Sequence, residues 1–466
     1  MTPPTQPEFC DVRQVVGPLV VLKRVEGVGW DEFAQVRLPS GETRQGLVLE
    51  VDEDTAVVQI LQGTQGIGLS GVRLAFEGRP LHIPVGEGWL GRVCDGLGQP
   101  RDGGPPVFGE TLRPVAGAPM NPVARATPSE PVLTGVSAID ALTTLVRGQK
   151  LPIFSVAGLP HLELATQIAA QAHAGDEPFK VVFAGMGLSH PDAAAVRDVL
   201  EERAAAGELT LFLNTADDPV IERVLTPRLA LTVAEYLAFV RGQHVLVVVA
   251  DMTSYAEAVR EVSAARGEVP GRRAYPGYLY SDLASLYERC GRIAGRPGSV
   301  TLVPVLTMPG GDITHPVPDL TGYITEGQIV LSRSLHERGI FPPVDVLGSL
   351  SRLMRKGAGP GRTRPEHVDL AAQLVAALAR SGQAADLAEL VGAAALTETD
   401  RRYLGFAKVF EGTFLRQRID EARTLDQTLD LAWQVISMLP RRELAMLDHE
   451  ALDSHYREVV PDGASP

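Results

Sequence analysis

Between residues 9 and about 78 the apolar residues come in short runs with polar breaks. Leu19-Val-Val-Leu22, Phe33-Ala-Gln-Val-Arg-Leu38, Gln45-Gly-Leu-Val-Leu-Glu-Val51 and Ala56-Val-Val-Gln-Ile-Leu61 are rich in β-branched residues. Asp52-Glu-Asp54 supplies a turn between the last two, and Gly41, Gly63, Gly66 and Gly68 punctuate the rest. Short strands at this spacing predict a small closed barrel. Residues 79 to 130 are rich in Gly and Pro and predict connecting loops with a few strands. From about 131 to 355 apolar runs alternate with helical stretches. Ile153-Phe154, Val181-Val-Phe183, Leu209-Thr-Leu-Phe-Leu213, Val245-Leu-Val-Val-Val-Ala250 and Val300-Thr-Leu-Val-Pro-Val-Leu306 are the candidate strands. Near-continuous apolar strands separated by helices predict a parallel sheet covered on both faces. From 366 on the period is helical: Leu425, Leu429, Trp433 and Ile436 fall on one helix face, and Thr397-Glu-Thr-Asp400 has the form of a helix start. The pattern therefore predicts a multidomain chain: a β-barrel over residues 1–78, an α/β domain over 79–355 and an α-helical domain over 356–466.

Chemistry is concentrated first in Ser155-Val-Ala-Gly-Leu-Pro-His-Leu-Glu-Leu-Ala165. It follows an apolar run and opens into a helical stretch, which is the setting of a phosphate-binding loop. A working loop reads G-x-x-x-x-G-K-[ST]: glycines bring backbone N–H groups to the phosphates, Lys neutralises them and the hydroxyl holds magnesium. Here Ser155 and Pro160 stand at the glycines, His161 at the Lys and Leu162 at the hydroxyl, with Gly158 between. Pro160 has no N–H, neutral His161 carries no charge and Leu162 ligates no metal. The setting survives and the chemistry does not. On this stretch alone, an ordinary strand–loop–helix that never bound phosphate is the alternative.

Composition narrows the classes. At 466 residues and 45% hydrophobic content the chain has room for about three domains with buried cores. A net charge of −14 argues against nucleic acid or an anionic membrane face as the main partner. Cys10, Cys94 and Cys290 are far apart and in no metal-ligand spacing, which predicts reduced thiols in a cytoplasmic protein. The start, Met1-Thr-Pro-Pro-Thr-Gln-Pro-Glu8, lacks the basic and apolar regions of a signal peptide. No apolar run reaches the ~18 residues of a membrane span, so any membrane role is expected to be peripheral.

Further segments are specific. Thr134-Gly-Val-Ser-Ala-Ile-Asp-Ala-Leu142 followed by Arg147-Gly-Gln149 resembles the lead-in to the nucleotide loop of rotary ATPases. Pro342-Pro-Val-Asp-Val-Leu-Gly-Ser-Leu-Ser351 matches the P-[SAP]-[LIV]-[DN]-x-x-x-S-x-S signature of their ring subunits. Gly271-Arg-Arg-Ala-Tyr-Pro-Gly-Tyr278, the stretch from Thr314 to Gln328, and Asn214-Thr-Ala-Asp-Asp-Pro219 are similar to the B subunit, or beta chain, of V-type, archaeal-type ATPases and ATP synthases. The likeness runs from about residue 10 to 455. It implies a barrel, a RecA-like, P-loop-NTPase-like central domain and a helical domain. It also implies three such chains alternating with three catalytic A subunits around a central stalk, with peripheral stalks and an ion-translocating membrane sector reached indirectly, on the cytoplasmic side. No nucleic acid is expected as a partner.

The same resemblance assigns roles. Arg352 follows the signature at the position of the family's arginine finger, acting in trans on the neighbouring A subunit's ATP. A guanidinium offers two parallel donors and a permanent charge to a phosphoryl group gaining negative charge. Ser351 and Tyr323 are candidates beside it at a nucleotide-binding interface. Asp251 ends a buried strand as in a Walker B segment, where Asp steadies magnesium; an ordinary N-cap is the other reading. Met186 stands near the catalytic family's Glu and is no base. This chain is therefore expected to bind no metal or cofactor alone, with Mg-ATP or ADP only at its interface with the A subunit. Pro309-Gly-Gly-Asp312 has fewer acids than the family's usual segment. Gly357-Ala-Gly-Pro-Gly-Arg-Thr363 looks like a phosphate loop but is one residue short and carries Arg for Lys; it reads as a flexible connector. Two rival classes remain open: a self-sufficient hexameric P-loop NTPase such as an export ATPase or RNA translocase, and an F-type alpha-like subunit. Both need the intact loop.

Overall fold

The computed structural model describes residues 7–175 and 177–458. The stretch before Pro7, on which most of the reading of the N-terminus rests, lies outside the described residues. The N-terminal strands follow the alternation of the sequence. The hydrogen-bonded path runs Glu8–Phe9, Arg73–Pro80, Glu32–Arg37, Thr43–Asp52, Thr55–Ile60, Leu19–Lys23, Val12–Val16, antiparallel throughout. It curls around Val20, Leu22, Val36, Val58, Ile60 and Leu74, all fully buried. The expected barrel is present with an open seam: no ladder joins Val12–Val16 to Glu8–Phe9 among the described residues.

The central sheet has the order Val344–Ser351, Gly327–Leu331, Ile153–Ser155, Ser299–Thr307, His244–Ala250, Phe179–Leu188, Leu209–Thr215, Val93–Asp95. All five strands expected from the apolar runs are in it, and every neighbouring pair is parallel except the first, which is antiparallel. The parallel strands are buried on both faces, which is why they read as unbroken apolar runs. Loops at their C-terminal ends converge, as in open α/β sheets generally.

The helical domain does not form a core of its own. Leu429, Trp433 and Ile436 pack into the same cluster as Leu164 and Ile168 of the helix after the loop, and as Val181 and Val305 of the sheet. Caps fix the helix starts. The Thr397 side chain accepts from Asp400 N, and Thr424 and Gln427 form a reciprocal capping box. Phe406, Phe410 and Phe414 are fully buried, with the Phe410 centroid 5.9 and 4.9 Å from its two neighbours.

The Gly357–Thr363 connector corrects an expectation. Gly357 to Gly359 are buried, Gly359 N donates to Thr363 Oγ1 at 2.7 Å, and Thr363 Oγ1 lies 2.9 Å from His367 Nδ1. It is a hydrogen-bonded turn into the helix His367–Val391, not a flexible tether. Its glycines allow tight backbone turns; sequence alone does not separate that use from looseness.

Because one core serves sheet and helices, Phe410→Ala is expected to destabilise the whole chain. The cost should be about 3–5 kcal/mol, the range for deleting a buried ring. Urea unfolding followed by circular dichroism checks this. A loss of under about 1 kcal/mol would show that the ring stack is not part of the cooperative core.

Candidate functional site

The strand Ile153–Ser155 delivers the loop, and the helix His161–Gln171 leaves it. Gly158 turns the chain at φ +87°, with open space where a Cβ would stand; this residue retains a glycine's conformational use. The rest of the loop is closed upon itself. Leu159 N donates to Val156 O, His161 N donates to Leu159 O at 2.8 Å, and His161 Nδ1 lies 2.8 Å from the same carbonyl. Pro160 occupies the N-cap and makes no side-chain cap. Of the N–H groups that a phosphate would use, the one at 160 is missing and those of Leu159 and His161 are engaged. Leu162 leans on the hydrophobic core.

The loop forms one wall of a cleft of about 920 Å³. Gly158, His161 and Leu162 line it together with Met186, Gly187 and Asp251, so the fold does assemble the pieces of a nucleotide site. Its lining also includes Glu163, Asp192 and Asp420, and no Lys or Arg among the described residues. That sign of charge opposes a polyphosphate. Met186 is fully buried in the core. Asp251 caps the helix Met252–Ala265: its carboxylate accepts from Thr253 N at 2.6 Å and from Thr307 Oγ1 at 2.7 Å. Burial raises its carboxyl above the ordinary range, against the pull of those hydrogen bonds.

Arg352 is elsewhere. Ile153 pairs with Ile329 and Gly327 pairs with Ser351, so Ser351 lies level with Leu151. The loop begins about five residues further along that strand, roughly 17 Å at ~3.3 Å per residue. Arg352 thus stands at the N-terminal end of the sheet, and the loop at the C-terminal end. Its side chain is exposed and has no hydrogen bond or ion pair among the described residues. Tyr323, on the last turn of the helix Pro316–Ile324, is 75% exposed, and Leu347 and Leu350 are 55% and 54% exposed. Ser351 differs from these. Its hydroxyl is turned inward, accepting from Gln149 Nε2 at 2.9 Å and donating to Thr144 O at 3.3 Å. It anchors the strand end through these two bonds.

Two segments find partners that the sequence left open. Asp312 accepts from Arg273 at 2.7 Å, and Arg272 donates to Thr314 O, so the Pro309–Asp312 loop leans on the Gly271–Tyr278 stretch. Asn214 Oδ1 accepts from Gly187 N and from Arg223 Nε, both at 3.0 Å, fixing the cleft's rim. Sequence reasoning missed Gln149, Lys150 and Glu326. A Gln and a Lys placed between Arg147-Gly148 and an apolar strand were the available signal.

The fold defines the class, a chain with a β-barrel, a nucleotide-binding-type α/β domain and a helical domain of the ATP synthase alpha/beta kind. Models of the ATP synthase alpha/beta family match its beta-barrel domain at residues 12–73 and its nucleotide-binding domain at 135–351. The C-terminal domain of V and A type ATP synthase matches at 356–456. The B subunit of the A-type ATP synthase of Aeropyrum pernix is 53% identical over 451 residues, 96% of this chain and 97% of that protein. The solved ATP synthase subunit NeqB of Nanoarcheaum equitans is 37% identical with a TM-score of 0.72, covering 91% of this chain and all of that one. The chain belongs to the family of V/A-type ATP synthase B subunits. Among the described residues no helix is long and apolar enough to cross a membrane.

Behind the cleft rim, Glu222 is buried with Oε2 unpaired. Its carboxyl is pushed up to about 8, first by burial, then by Asp95 and Asp218, with Arg101 opposing. Above its ordinary pKa of 4.5 the unfolded chain has lost this proton while the folded chain keeps it until about 8. Stability from this group therefore falls as pH rises through that window. Glu222→Gln is expected to raise the thermal midpoint at pH 8 and to change it little at pH 4.5. Equal shifts at both pH values would remove the titration argument.

Proposed function

We propose that this chain is the non-catalytic B subunit of a V/A-type rotary ATPase or ATP synthase. Three copies alternate with three catalytic A subunits in a ring about a central stalk, on the cytoplasmic side of the membrane sector that moves the ion. Mg-ATP or ADP sits at the interface with the A subunit, and Arg352 reaches it in trans, with Tyr323 beside it. The observation that carries this reading is the separation of Arg352 from its own chain's loop. A guanidinium that is exposed and without a partner among the described residues, roughly 17 Å along the strand from a loop that departs from the phosphate-binding pattern, has no work to do in cis. The relatives are named as the B subunit of an A-type ATP synthase and as an ATP synthase subunit, which supports the same assembly. A self-sufficient NTPase would need Lys and Ser/Thr at positions 161 and 162, where His and Leu stand.

Phosphoryl transfer is catalysed mainly by positioning and by electrostatic stabilisation of the equatorial oxygens. A finger arginine contributes ~10³–10⁵ in rate, roughly 4–7 kcal/mol. Arg352→Ala is therefore expected to bring hydrolysis by the assembled ring close to background while native mass shows the ring intact. Arg352→Lys should rescue poorly, because an ammonium lacks the planar fork. An exposed salt-bridge arginine would contribute about 0–1 kcal/mol, so turnover within a few-fold of wild type would end the finger assignment.

The isolated chain is expected to hydrolyse no ATP and to give no saturable, magnesium-dependent heat when titrated with ATP. The acidic lining, engaged loop and absent Lys all act in that direction. Tight binding to the chain alone would overturn the division of labour proposed here.

A further inference from the structure

An exposed arginine on a strand end is useful as a finger only if its backbone is held. The structure contains such a hold, centred on two buried residues, Gln149 and Lys150. Gln149 is fully buried, and its Oε1 accepts from Val146 N at 3.0 Å. Its Nε2 donates to two acceptors, Ser351 Oγ at 2.9 Å and Glu326 O at 3.1 Å. Glu326 O is also the acceptor for Arg352 N at 3.0 Å. One side-chain amide therefore grips both the residue before Arg352 and the carbonyl to which Arg352 is bonded.

Lys150 completes the grip on Glu326. Its Nζ, in a side chain only 3% exposed, lies 2.8 Å from Glu326 Oε1 and 3.3 Å from Glu288 Oε1. Its backbone N donates to Glu326 Oε2 at 2.8 Å, and its carbonyl accepts from Glu326 N at 3.0 Å. The dipeptide itself is rooted in the sheet. Leu302 N donates to Gln149 O, and Leu151 N donates to Leu302 O at 3.0 Å. Lys150 forms a parallel bridge with Leu302.

We propose that Gln149 and Lys150 are positioning residues for Arg352, acting through Ser351 and Glu326. The proposal rests on the finger reading above. Both residues are buried and act from behind the finger. They transmit the rigidity of the central sheet to a side chain that has no other partner in its own chain among the described residues. Displacement of a catalytic group by about 1 Å costs on the order of 10²-fold in rate, and supporting residues are what prevent it.

The test uses rings assembled with the catalytic A subunit. Gln149→Met keeps volume and removes only the amide. It is expected to lower kcat about 10–100-fold while KM for ATP stays within about threefold, because Arg352 acts on developing charge more than on ground-state binding. Hydrogen exchange on the same rings supplies a readout that a general loss of stability would not give. The peptide containing Arg352 should exchange faster, with the rest of the chain unchanged. Lys150→Met should act in the same direction. If Gln149→Met chains fail to fold, Ser351→Ala breaks the same bond from its other end and is read the same way.

Turnover within about threefold of wild type, or a loss accompanied by faster exchange along the whole chain, would overturn the positioning role. These outcomes are separable from failure of the finger itself. If Arg352→Ala rings are inactive and Gln149→Met rings are normal, only the positioning role falls. If Arg352→Ala rings are active, the finger reading falls first, and this proposal with it.

Discussion

The register of three strands governs what this molecule is able to do. Gly327–Leu331 lies between Ile153–Ser155, to which it is parallel, and Val344–Ser351, to which it is antiparallel. The antiparallel return takes the chain back to the N-terminal end of the sheet just before Arg352. Had the last strand been parallel, its end would lie with the cleft, beside the chain's own loop. One reversal of strand direction thus divides the molecule's charged chemistry between two ends of a sheet. That separation is what supports the proposal that a site using Arg352 is completed by another chain.

The core explains why the cleft end persists without its chemistry. The helix His161–Gln171 follows the loop and buries Leu164, Ala165 and Ile168 in the cluster that also holds the C-terminal helices. Gln167 Nε2 donates to Arg418 O and Glu421 O, tying that helix across to the helical domain. Gln171 Nε2 donates to Thr134 O, tying it to the lead-in segment. The helix of a nucleotide loop has here become a strut between domains. Removing it would expose a large apolar surface, at roughly 25 cal/mol per Å². Of the three departures from the loop pattern, Leu162 adds to that surface, and those at 160 and 161 leave Leu164, Ala165 and Ile168 in place.

Much of this was legible in the sequence, and the reasons are specific. The central strands could be read because burial on both faces makes them continuously apolar. The helix Leu425–Ile436 could be read because its buried face repeats with the helical period. The loop could be read because its departures fall on residues whose chemistry is unambiguous: a missing N–H, a missing charge, a missing hydroxyl. Pairing was not legible. Nothing local shows that Val93–Asp95 joins the edge of the central sheet at Leu211–Leu213, or that the barrel ladder leaves a seam. Nor does a sequence show which way a hydroxyl points. Ser349-Leu-Ser351-Arg352 reads as one motif, yet Ser351 faces Gln149 inside and Arg352 faces outward.

The defects at the loop differ in kind, which bears on how firmly the division of labour is built in. Position 161 lacks a permanent charge and position 162 lacks a metal ligand; single substitutions would supply either. Position 160 lacks a backbone donor, and its proline also sets the dihedral at the start of the helix. Position 186 carries a buried apolar side chain at the floor of the cleft, so a carboxylate there would be desolvated and would resist ionisation. The cleft's acids, Glu163, Asp192, Glu202, Asp251 and Asp420, come from four separate parts of the chain. A restored lysine at 161 would share its cleft with those carboxylates. Changes at 161 and 162 would thus be of no use until backbone, core and long-range charge changed with them. On the proposed division of labour, the loss of chemistry at this end is set into the fold itself, while the function proposed for the other end hangs on one exposed guanidinium and the buried amide and ion pair behind it.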